Sequence, residues 1–74
     1  MDEDDLELAN RLFAAMTGLL EDGVETAAIG QSSHAAPAEL AERGRRIQAA
    51  ARDVATLAEA ALVVTRTGPG EGRI

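Results

Sequence analysis

Two long stretches of this sequence repeat apolar residues at alternating steps of three and four, and one short break separates them. In the first stretch the series is Leu6, Ala9, Phe13, Met16, Leu20, Gly23 and Ala27. In the second, Leu40, Ile47, Val54 and Ala61 share one heptad position, and Ala50, Leu57 and Val64 share another. Such spacing places each set on one face of an α-helix. Leu8, Leu12, Ala15 and Leu19 widen the first face, and Ala51, Ala58 and Leu62 widen the second. Each face is broader than one partner helix covers.

The break reads IGQSSHAAP. Gly30 suits the left-handed position that closes a helix, and Pro37 suits the first turn of the next. The pattern therefore predicts one helix from about Asp4 to Ala28 and a second from Pro37 to about Arg66. Asp4 and Glu7 have capping-box spacing, and the carboxylates of Asp2 to Asp5 sit at the positive end of the first helix dipole. Glu39 and Glu42 do the same in the second helix. Gly68 and Pro69 end the pattern.

A short connection makes consecutive helices antiparallel neighbours. The expected fold is all-α: a long antiparallel two-helix hairpin over residues 1–67 and a flexible tail over residues 68–74. With the fold-back centred near Ser33, Leu20 meets Ile47, Phe13 meets Val54, and Leu6 meets Ala60 or Ala61. The chain has 74 residues and no cysteine, which excludes disulfides. One histidine excludes a multi-histidine metal site within a single chain. A core this small needs another source of stability, and self-association is what remains. A homo-oligomeric bundle or ring is expected. The residues expected in its core and contacts are Leu6, Phe13, Met16, Leu20, Leu40, Ile47, Val54, Leu57 and Val64.

Seven basic residues stand against thirteen acidic ones, for a net charge of −6. Phosphate should be repelled overall. Arg43, Arg45 and Arg46 are the exception, a basic cluster within LAERGRRIQ. The hairpin register brings Glu21, Asp22 and Glu25 level with it, so exposed interhelical salt bridges are the leading expectation. A weak, non-specific nucleic-acid contact and a protein contact are the alternatives. Gly18, Gly23 and Gly44 fall inside the helical patterns, where glycine costs about 1 kcal/mol relative to alanine. Gly23 and Gly44 lie nearly level, which suggests close backbone approach.

Catalysis has little support. Ser32, Ser33 and His34 are adjacent in a loop, where a nucleophile seldom finds both a base and a group to orient it. The acidic start lacks the shaping glycine of a calcium loop. No cofactor or metal is expected, and the chain is not expected to be an enzyme. No apolar run approaches the ~20 residues needed to span a bilayer. The start MDEDDLELAN is acidic where a secretory leader would be basic and then apolar. A cytoplasmic location is expected. At the other end, Val63, Val64, Thr65 and Thr67 are β-branched. The tail is read as a fraying helix end, or as a short strand offered to a partner, with Thr65, Arg66, Thr67 and Ile74 as its candidate contacts.

The stretches LANRLFAAMTGLLEDG and ERGRRIQAAARDVATLAEAALVV together resemble the central oligomerisation region of phage-type small terminase subunits. The likeness is greatest to the compact versions encoded by gene transfer agents of alphaproteobacteria. It covers about three-quarters of the chain and rests on pattern and composition. The resemblance implies a ring-forming hairpin that helps select DNA for packaging and stimulates a large ATPase and nuclease subunit. The tail after Val64 would be the contact with that subunit. Many such proteins carry an amino-terminal helix-turn-helix domain. This sequence has no room for one before its first helix, so sequence-specific DNA recognition is not expected.

Overall fold

The computed structural model of the protein describes residues 1–31 and 34–66. They form two α-helices, α1 (Glu3–Gly30) and α2 (Pro37–Thr65). The helices run antiparallel along a hairpin 55 Å long, 22 Å wide and 12 Å thick. Among the described residues there is no strand. The expected all-α hairpin is therefore what the chain adopts, each helix beginning and ending within two residues of expectation.

The start of α1 lies one residue earlier than the spacing predicts, because Asp2 is the cap. Its Oδ1 accepts a hydrogen bond from the Asp5 backbone N–H at 2.9 Å. This satisfies one of the four N–H groups that a helix start leaves without partners. Glu3, Asp4 and Asp5 add negative charge in the same turn. In α2 Ala36 is the cap and has no side-chain acceptor to offer. Glu39 supplies the reciprocal half of a capping box, its Oε1 accepting from the Ala36 N–H at 3.0 Å.

Gly30 does not take the left-handed closing position. It is the last helical residue, and Gln31 ends α1 in a right-handed conformation, φ −81° and ψ 0°. The Gln31 N–H donates to the Ala28 carbonyl at 3.1 Å. A tightened last turn thus does the work expected of a glycine cap. At the far end Val63, Val64 and Thr65 are helical, which excludes a strand there. The Thr65 Oγ1 hydroxyl donates to the Leu62 carbonyl at 2.9 Å. Thr67, Ile74 and the expected 68–74 tail lie outside the described residues, as do Ser32 and Ser33.

The seam between the helices differs from the expected one by a rotation of α1. Its half-buried or buried line is Asp5, Ala9, Leu12, Met16, Leu19, Gly23, Thr26 and Gly30. On α2 the line is Arg43, Ile47, Ala50, Val54, Leu57, Ala61 and Val64. Both are unbroken three–four series, the pattern of a coiled-coil seam. Run antiparallel, they bring Arg43 to Gly30, and Gly23 to the stretch that holds Ile47, Ala50 and Val54. The expected register would have set Gly30 level with residues 36 and 37, so the pairing is displaced along α2. Of the residues expected in the core, Met16 is buried, and Ile47, Val54, Leu57 and Val64 are half-buried. Leu6, Phe13, Leu20 and Leu40 are not in the chain's own core; all four are exposed.

Candidate functional site

Two candidate sites follow from the sequence, the arginine cluster and the broad apolar face. The structure separates them onto different parts of the hairpin.

The arginines do not form the expected interhelical salt bridges. Among the described residues the one ion pair is Arg45–Glu42, 3.1 Å apart within α2 and exposed on both sides. A pair three residues apart on one helix is sterically easy to reach, while the interhelical alternative must span the seam. Arg46 does lie across a groove from Asp22 and Glu25, with Asp53 also on its wall. Three carboxylates therefore share this groove with Arg46, and none of them is within ion-pair distance of it. Arg43 points elsewhere. It is half-buried on the seam, and its Nε is enclosed without a hydrogen-bond partner. Its stem packs toward Gly30, where a β-carbon would stand 3.8 Å from the Arg43 Cδ. The last turn of α1 holds no basic residue of its own. Arg43, borrowed from α2, brings positive charge to that negative dipole end. One arginine at a helix end, one in a local pair and one among carboxylates do not make a basic surface.

Gly23 and Gly44 do not mark a close backbone approach. A β-carbon built at either would meet nothing within 4 Å. At Gly23 the missing side chain opens the seam. Grooves of about 410 and 240 Å³ border it on the two sides of the hairpin.

Those two sides have opposite character. One groove is walled by Asp22, Glu25, Arg46 and Asp53. The other is walled by Leu20, Val24, Ala27 and Ala51, with Leu19, Ile47 and Val54 on its floor. Extending this apolar side by heptads from Leu20 and Val24 adds Phe13 and Leu6 on α1. From Ala51 it adds Ala58, with Leu62 one turn beyond. Phe13 is 56% exposed, Leu20 55%, Val24 69% and Leu62 54%. Thr17 lies on the same side between Phe13 and Leu20, and its hydroxyl is already donated to the Phe13 carbonyl at 3.0 Å. What it presents outward is a methyl group.

Among the described residues no group of three or more metal-ligating side chains comes together. No helix among the described residues is long and apolar enough to cross a membrane. His34 is exposed beside α2, while its two serine neighbours lie outside the described residues. No protein-family model matches the chain, and no curated protein or solved structure matches it either.

The exposed line Leu6–Phe13–Leu20 was legible as a seam in the sequence. The sequence showed two apolar lines side by side on α1, but not which of them closes the hairpin and which faces outward. The signal was present: Leu12 and Leu19 compete with Phe13 and Leu20 at adjacent positions, so one pair had to remain outside.

Proposed function

We propose that this chain is a non-catalytic homo-oligomeric assembly protein. One observation carries the reading. The chain as a whole has a solvent-accessible surface of 5532 Å². A compact monomer of 7.7 kDa exposes about 4,300 Å² on the usual mass scaling. The excess is about 1,200 Å², against the roughly 800 Å² that each partner buries in a standard interface. Among the described residues only Ala9, Met16 and Ala61 are buried apolar residues. A domain with so little interior draws its stability from other copies.

Within this class the sequence resemblance supports a small-terminase-like packaging component that works with a large ATPase and nuclease subunit. Direct DNA contact in that role is at best weak and non-specific, given how the arginines are dispersed. A second sharper reading is a cytoplasmic four-helix-bundle regulator or adaptor that binds a protein, as an antitoxin or anti-activator does, or an RNA. The scarcity of charge on one side of the hairpin favours it, since that leaves Phe13, Leu20 and Val24 exposed on an apolar side with Glu21 at its rim. The mass of the assembly in solution separates the two. A closed ring of many copies supports packaging, and a dimer supports the bundle. A monomer at micromolar concentration would refute both.

A further inference from the structure

We infer that the apolar side of the hairpin seats the same side of a second copy, forming a two-fold four-helix bundle in which α1 of one chain lies over α2 of the other. This rests on the homo-oligomer reading above and names its interface.

The charge distribution is the first argument. On α1 the side carries Leu6, Phe13, Leu20 and Ala27 on one heptad line and Asn10, Thr17 and Val24 on the next. On α2 it carries Gly44, Ala51 and Ala58 on one line and Gln48, Ala55 and Leu62 on the next. Glu3, in the first turn, is the only charged helical residue on these lines. A chain with thirteen acidic residues and a net charge of −6 keeps these lines free of charge beyond the first turn, with Glu21 at the rim beside Thr17, Leu20 and Val24. Two such sides meet without like-charge repulsion, whereas the opposite sides, with Asp22, Glu25 and Asp53, do not.

Shape is the second argument. Apart from Leu62, the large side chains are on α1, and α2 answers with glycine and alanine at the same seven-residue interval. Leu20, Ala51 and Val54 border one groove, so Leu20 lies at the height of the Ala51–Val54 turn. Seven residues along each helix, Phe13 lies at the height of the turn that begins at Ala58, and in the other direction Ala27 lies at that of the turn that begins at Gly44. A two-fold axis parallel to the helices preserves these levels and exchanges the helices laterally. It sets Phe13 of each chain over Ala58 of the other, and Leu20 over Ala51. Large meets small twice over, which is the self-complementarity that an isologous interface requires. All neighbouring helices in the resulting bundle are antiparallel.

Area is the third argument. A side 55 Å by 22 Å presents on the order of 1,000 Å². That meets the need of a stable dimer and is close to the surplus surface of the lone hairpin.

The test uses the full chain and sedimentation equilibrium at micromolar concentration. The expected mass is twice 7.7 kDa. Phe13→Glu should raise the dissociation constant by about two orders of magnitude or more, and Leu8→Glu on the charged side should leave the mass unchanged. The absence of native cysteine allows a direct check of the seating. Thr17 and Ala55 lie on opposite edges of the apolar side within a chain, and the two-fold brings one chain's Thr17 to the other's Ala55. Thr17→Cys with Ala55→Cys should therefore form an interchain disulfide under mild oxidation. The crosslink decides the matter even where Phe13→Glu unfolds the chain. A wild-type monomer would overturn both this interface and the homo-oligomer reading. An assembly that survives Phe13→Glu but dissolves with Leu8→Glu, or one that lacks the crosslink, would overturn this interface alone.

Discussion

Replacing Gly23 by alanine should stabilise the protein. Gly23 sits in the interior of α1, is half-buried, and borders the same grooves as Ile47 and Ala50 of α2. A glycine there costs about 1 kcal/mol relative to alanine, because its unfolded state has more freedom to lose. The new methyl would meet no atom within 4 Å. It would enter the opening between the grooves and remove part of its surface from water, adding about 0.4 kcal/mol for a half-buried methyl. The expected gain is about 1.4 kcal/mol, or a rise in Tm of about 5–10 °C for a domain of this size. Gly18→Ala provides the reference. Gly18 is exposed and equally unobstructed, so it should report propensity alone, about 1 kcal/mol. The assay is thermal unfolding followed by far-ultraviolet circular dichroism, at one fixed protein concentration because association shifts the midpoint. If Gly18→Ala stabilises while Gly23→Ala does nothing or destabilises, the helices approach more closely at Gly23 than described, and the reasoning is wrong.

Other substitutions test the remaining parts of the hairpin. Met16→Ala removes the largest buried side chain of the seam and should cost about 2–5 kcal/mol in a denaturant titration. Asp2→Ala removes the cap of α1 and should cost about 1 kcal/mol, with the loss concentrated in the first turn as read by amide exchange. Arg45→Ala breaks only an exposed pair, so unfolding midpoints should move by less than about 0.5 kcal/mol. Arg43→Met keeps the apolar stem against Gly30 and should be tolerated better than Arg43→Ala, which loses that packing as well. Equal costs for the two Arg43 variants would place its contribution in the charge.

The broad outline of this fold was legible because helices announce themselves by period. The three–four series, the proline at the start of α2 and the carboxylates at the start of α1 each point to the same two elements. The rotation of α1 was not legible. Leu12 and Leu19 on one line, Phe13 and Leu20 on the next, have similar hydrophobicity, and periodicity alone does not say which line faces the partner helix. Size decides it. The small Ala9 and Ala61 are the buried members of the two seam lines, and the bulk of Phe13 is left outside. Charge was harder to read. Level placement of the arginines with Glu21, Asp22 and Glu25 suggested salt bridges, yet reach along one helix favoured Glu42 for Arg45. The role of Arg43 at the end of α1 depends on a contact between helices that no linear pattern encodes. The terminase likeness rests on pattern and composition alone, and it entered the functional reading only as one form of a wider class.

The placement of Arg43 makes the two ends of the hairpin unequal. At the connected end a guanidinium sits against the carbonyl end of α1. At the open end α1 begins with four consecutive carboxylates, Asp2 to Asp5, and α2 closes on Arg66 as its cap. The carboxylates repel one another at the point where no loop holds the hairpin shut. The rods should peel apart from their free tips, and salt, by screening that repulsion, should slow the peeling.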